Sequence, residues 1–216
     1  MPAIIPFSFP GLPSVGCAFG TRLRPAENHT LETPSLRLML TQVHGTDIVF
    51  EPQKDNESTE ADGMAASTPG QALVIRTADC QPIMAAHKSG KYILALHCGW
   101  RGNRAGFPTN GIKKFCARYD LAPEDILAVR GPSLGPARAR FHDFSEHWPE
   151  SFGNYFHPGD KCMHLWNLTR DQLLAAGLPK ENIFGLDLCT YSLPEWFYSY
   201  RRDRDKKRME NMIWIK

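Results

Sequence analysis

No stretch of this chain is apolar over the roughly 20 residues that a membrane-spanning helix needs, so a helical membrane protein is not expected. Charge of one sign is also lacking. Lys and Arg total 25 against 23 Asp and Glu, a formal net charge of +2, which favours neither a nucleic-acid partner nor a membrane surface. Internal repeats and low-complexity tracts are absent. The six cysteines, at positions 17, 80, 98, 116, 162 and 189, have no framework spacing. Free thiols in a reducing, cytoplasmic compartment are therefore expected rather than a disulfide scaffold. The segment Met1 to Pro10 is broken by prolines and has no charged start, so it does not read as a signal peptide. Among eight histidines there is no His-x-His pair, which excludes the many-histidine cluster of a multicopper centre.

What is present is a chain of 216 residues with 42% hydrophobic and 22% charged residues, enough for one core and one soluble domain over residues 1–216. Short apolar runs bounded by turn residues predict strands: Leu36 to Leu40, Ala72 to Ile75, Tyr92 to Leu96, Ile126 to Val129, Ile183 to Leu186 and Asn211 to Ile215. One helix is expected over Ile112 to Tyr119, capped by Thr109 or Asn110. A second, capped by Asn167 or Thr169, should stop at Gly177 before Pro179. Glu51 to Glu60 is polar and reads as an exposed connector. Strands and helices alternate without a strict βαβ rhythm, so the expected fold is a mixed-sheet α/β sandwich.

Three segments put a metal-ligating side chain in a turn: Gln42-Val43-His44-Gly45, Thr77-Ala78-Asp79-Cys80-Gln81-Pro82 and His97-Cys98-Gly99-Trp100-Arg101-Gly102. His44, Cys80 and His97 together offer two imidazoles and a thiolate. Three protein ligands with an open fourth position is the pattern of a catalytic zinc. Cys98 follows His97 and would face the other way in extended chain, so it is left out of the ligand set. Asp79 either orients a ligating histidine or satisfies amides in its own turn. Arg101 either grips an oxyanion through two parallel hydrogen bonds or pairs with an internal carboxylate. His29, His87, His147 and His157 read as surface or ordinary core histidines. Arg201 to Arg208 reads as a solvated basic loop.

These segments resemble the laccase-domain, or polyphenol oxidase, family, whose members are also described as purine nucleoside phosphorylases and include peptidoglycan editing factors. Asp62-Gly63, Gly131-Pro132-Ser133, Cys189-Thr190, Phe197 to Arg202 and Ile213-Trp214-Ile215 extend the resemblance from about Gly16 onward. It implies an α/β sandwich with one zinc held by His44, Cys80 and His97, and phosphorolysis of adenosine, inosine and methylthioadenosine with some adenosine deamination. Such a protein would act on a small-molecule nucleoside and phosphate, as a monomer or small homo-oligomer. On the resemblance alone Arg22 is a second phosphate candidate. The chain departs from the family pattern after Arg22, at Cys17, near His142, and at Lys206-Lys207-Arg208, where the family has Thr-Gly-Arg. Three other readings stay open. Two histidines and a cysteine also suit a single copper, Cys80 with His97 or His44 suits a Cys-His hydrolase, and a non-catalytic binding protein is the fourth.

Overall fold

A computed structural model describes residues 3–23, 33–54 and 58–216. In chain order the strands are β1 (Ile4–Phe7), β2 (Val15–Gly20), β3 (Leu36–Leu38), β4 (Ile48–Phe50), β5 (Gly63–Ala66), β6 (Gln71–Thr77), β7 (Gln81–His87), β8 (Ile93–Cys98), β9 (Ile126–Arg130), β10 (Phe156–His157), β11 (Cys162–Met163), β12 (Ile183–Gly185) and β13 (Met209–Ile215). The helices are α1 (Trp100–Arg104), α2 (Phe107–Tyr119), α3 (Phe144–His147), α4 (Leu165–Ala175) and α5 (Tyr200–Asp203).

Two mixed sheets carry the architecture, one ordered β1-β2-β13-β6-β3 and the other β12-β9-β7-β8-β5-β4. The alternation of side chains along the strands explains why they stack. In β8, Ile93 and Ala95 join Leu73, Ile75, Phe19 and Ile213 of the first sheet in one buried cluster. Leu94 and Leu96 point the other way and pack with Phe107, Ile112 and Phe115 of α2 and Leu173 of α4. The second sheet is thus covered on both faces, which accounts for its unbroken apolar strands. Each large side chain buried this way contributes about 1.5–3 kcal/mol. The expected mixed-sheet α/β sandwich is what forms, with a helical layer on one side.

Several elements differ in their bounds. Helix α2 starts at Phe107, not beyond Thr109, because Pro108 occupies its first turn and Gly106 supplies a left-handed residue at its N-cap (φ 69°). Thr109 does not cap it; its hydroxyl donates to the Gln172 carbonyl at 2.7 Å. Helix α4 is capped by His164, whose Nδ1 accepts from the Asn167 amide at 3.2 Å, so neither Asn167 nor Thr169 has that role. The connector after Glu51 is tied down at its start. The Glu51 carboxylate accepts from the Tyr119 hydroxyl at 2.7 Å and the Ser67 hydroxyl at 2.8 Å. Residues 55–57 of that connector, and His29, lie outside the described residues. All six cysteines are free, and no helix among the described residues is long and apolar enough to cross a membrane.

Candidate metal centre and cavity

His44, Cys80 and His97 arrive from three different places in the fold. His44 lies in the turn before β4, Cys80 in the turn between β6 and β7, and His97 one residue from the end of β8. Their ligand atoms lie within 4.8 Å of one another, and among the described residues no other group of three His, Cys, Asp or Glu side chains has this geometry. The two imidazoles meet edge to face, with centroids 4.9 Å apart. Gly99 makes the approach possible. A Cβ there would come 2.9 Å from the Cys80 sulfur and 3.3 Å from the His44 ring.

Asp62, fully buried, organises two of the three. One carboxylate oxygen is 2.6 Å from Nδ1 of His97. The carboxylate also accepts from the amides of His44 at 3.0 Å and Gly45 at 2.6 Å. With Nδ1 held by Asp62, the Nε2 edge of His97 is left for a ligand. Gln42 adds a second tether, exchanging two 2.8 Å hydrogen bonds with the backbone of Arg76 at the end of β6. His44 itself has positive φ (62°), a conformation that needs such support.

The electrostatics follow from this packing. Burial pushes the Cys80 thiol up, but the charge of His97 and hydrogen bonds from both histidines outweigh it and bring the thiol to about 6. For His97 burial acts downward, and Cys80 and Asp62 override it to raise the imidazole to about 9. Asp62 is lowered despite its burial, by the His97 hydrogen bond and the turn amides. The site favours a thiolate, the form in which cysteine binds metal or attacks as a nucleophile. Two imidazoles and a thiolate this close together fit one zinc-type ion.

Asp79 is not the partner of a ligating histidine. Its carboxylate accepts from the Thr190 hydroxyl at 2.6 Å and the Arg201 amide at 2.7 Å, tying the Cys80 turn to the loop that carries Cys189-Thr190. The histidine orienter is Asp62, whose signal in the sequence was the Asp62-Gly63 match. Cys98 is fully buried and faces the helices, with the Asn103 amide 2.9 Å from its sulfur. Arg101 is exposed, and its guanidinium lies over the Trp100 ring, 4.5 Å from the centroid. Arg22 is engaged elsewhere. It donates to the Pro194 carbonyl, lies over Tyr198 and does not line the cavity above the trio.

That cavity holds about 780 Å³, within the usual range for small-molecule sites. His44, Cys80 and His97 share its lining with the apolar side chains of Leu134, Phe141 and Leu165 and with Trp100. Phe141 meets Trp100 edge to face, with centroids 5.8 Å apart and planes at 73°, so one side of the cavity is aromatic. The basic segment after Tyr200 is the main surprise. Arg201, Arg204, Lys206 and Arg208 line the same cavity, so the segment is a wall of the site and not merely a solvated loop.

The mixed α/β sandwich agrees with what comparison finds. A family model described as multi-copper polyphenol oxidoreductase laccase matches residues 22–216. The chain belongs to this laccase-domain family. It is 35% identical over 191 residues to purine nucleoside phosphorylase YfiH of Escherichia coli (strain K12), covering 84% of this chain and 75% of that protein. To purine nucleoside phosphorylase YlmD of Geobacillus stearothermophilus it is 30% identical over 185 residues, 76% of this chain and 66% of that one. The crystal structure of the Bacillus licheniformis hypothetical protein YfiH shares the fold, with a TM-score of 0.81 at 21% identity, covering 100% of this chain and 97% of that one.

Proposed function

We propose that the protein is a zinc-dependent purine nucleoside phosphorylase acting on adenosine, inosine and methylthioadenosine. The observation that carries the reading is the convergence of His44, Cys80 and His97 at the floor of a cavity with one aromatic and one cationic side. The names of the relatives at 30–35% identity support the phosphorylase part of it. His44, Cys80 and His97 would hold the ion, which when bound supplies a Lewis acid to polarise an oxygen or nitrogen of the substrate. Asp62 keeps the His97 ring in one orientation, so the ligand set needs no rearrangement to receive the ion. Trp100 and Phe141, set edge to face, make the aromatic side against which the purine would lie. Arg101, in the first turn of α1, holds phosphate by its fork of donors for attack at the ribose.

Incubating metal-replete protein with adenosine and phosphate, with and without chelator, tests this. Adenine release that stops with chelator and returns with zinc supports the phosphorylase. Hypoxanthine release under the same conditions reports the accompanying deamination. Copper-dependent oxidation of a phenol, with no adenine released from adenosine, would favour the oxidase reading. A second reading rests on the lowered Cys80 thiol beside His97, which also suits a nucleophilic cysteine. There the chelator has no effect and a substrate fragment becomes attached to Cys80.

A further inference from the structure

The cationic wall exceeds what one inorganic phosphate needs. Six basic side chains line the cavity: Arg76, Arg101, Arg201, Arg204, Lys206 and Arg208. Asp79 is the acid among the lining residues, and its carboxylate is already taken by Thr190 and the Arg201 amide. The acids interspersed in the basic segment do not neutralise this wall. Asp203 pairs with Arg202, Asp205 with Lys207 and Glu210 with Arg37, three cations that do not line the cavity. Arg204 and Lys206 have no carboxylate within ion-pair distance among the described residues.

By their place in the fold the cations fall into two groups. Arg101 is in α1, just after β8 of the second sheet. Arg201, Arg204, Lys206 and Arg208 come from α5 and the connection into β13 of the first sheet. Arg204 and Arg208 both lie over the Tyr200 ring, at 5.6 and 5.5 Å, so the aromatic gathers two guanidinium groups on one support. A second, independent observation points to a polar ligand in the same space. Gln81, next to Cys80, lines the cavity and is 2% exposed, yet neither its amide nitrogen nor its oxygen has a hydrogen-bond partner. Buried polar atoms are almost always paired, and a ligand with donors and acceptors would pair these.

We infer that the cavity takes a purine nucleoside 5′-phosphate as substrate, with its phosphate on the Arg204–Lys206–Arg208 side and inorganic phosphate on Arg101. This rests on the phosphorylase reading and moves its preferred substrate from the free nucleoside to the 5′-phosphate. In the reaction the C1′–N9 bond breaks and its electron pair stays on the purine nitrogen. An oxygen of inorganic phosphate forms the new C1′–O bond, and the proton that oxygen carried ends on the base. The products are free purine and ribose 1,5-bisphosphate.

Two measurements on the metal-replete protein test it. Titration calorimetry with AMP and with adenosine should give AMP at least tenfold tighter, with an affinity that falls as KCl rises while that of adenosine stays flat. Turnover with phosphate should give a higher kcat/KM for AMP than for adenosine. In an Arg204→Gln, Lys206→Gln double variant the AMP-to-adenosine ratio should drop about tenfold. Both side chains are exposed, so folding should survive, and circular dichroism checks it. AMP binding no tighter than adenosine overturns the inference whatever the turnover. So does AMP that binds tightly but is not cleaved while adenosine is. Neither compound being cleaved overturns both the phosphorylase reading and the substrate assignment, whereas adenosine cleavage without tighter AMP binding removes the inference alone.

Discussion

The two walls of the cavity are built by opposite means. The floor is made of turns at strand ends, with His97 4% exposed and its partner Asp62 fully buried, and every member is held by a named hydrogen bond. The cationic wall is a segment between a one-turn helix and a strand, with Arg204 and Lys206 exposed and the Arg204 and Arg208 guanidinium groups lying over Tyr200. Geometry fixes the first and charge defines the second. A buried, pre-arranged cluster tolerates almost no change, because its atoms must meet at one point. A wall of long basic side chains works through summed potential, so each member counts for less and salt weakens all of them.

The largest expected effect is at the floor. Cys80→Ala should leave the protein without metal by elemental analysis and lower kcat/KM by about three orders of magnitude, the scale of losing a several-kcal/mol Lewis acid. Retained metal with lost activity would make Cys80 a nucleophile instead. Asp62→Asn should cost about 10–100-fold in zinc affinity, the usual range for an orienting partner, and excess zinc should restore activity. On the helix that follows the floor, Arg101→Lys should raise the KM for phosphate about tenfold, more than it raises that for nucleoside, since lysine lacks the two-pronged donor. If soluble Arg101→Lys cannot be recovered, the residue is structural. Going from about 50 to 500 mM KCl should weaken phosphate or AMP binding several-fold and leave metal content unchanged. Should salt strip the metal as well, the walls are not independent.

The smallest effect concerns the support behind the floor. Burial pushes Glu51 up, yet hydrogen bonds from Tyr119 and Ser67 outweigh it and lower its pKa. A lowered carboxylate stabilises the fold above the unfolded glutamate value of about 4.3. That contribution disappears as pH falls through the folded value. Urea unfolding of Glu51→Gln should therefore show a loss of about 1 kcal/mol at pH 7, with the two proteins converging in acid. A constant gap at all pH values would mean packing, not charge, is what Glu51 supplies.

The floor was legible in the sequence and the cationic wall was not, for a physical reason. Ligand chemistry is local: His44, Cys80 and His97 each sit beside a glycine or at the end of an apolar run, and those signals survive in one dimension. The six strongest apolar runs all became strands, although β7 was missed because Pro82 and Gln81 disguise a strand buried on both faces. Asp62 was visible only as part of a matched pair of residues, since nothing local tells that its carboxylate reaches His97 35 positions away. Arg201 to Arg208 looked solvated because most such charge runs are, and only the tertiary structure shows that Arg201, Arg204, Lys206 and Arg208 face the cavity. Helix caps failed for a simpler reason: Thr109 spends its hydroxyl on a neighbouring helix.

Strand β13 has one more consequence. It lies between β2 and β6, pairing Asn211 with Phe19 on one side and with Ile75 on the other. Those two strands have no ladder with each other, so the first sheet cannot close until a segment distant from both threads between them. Contacts this far apart in sequence close slowly. The basic segment immediately precedes β13, so it is delivered to the cavity rim by the same event. On a ribosome, the floor ligands have all emerged long before the wall that faces them.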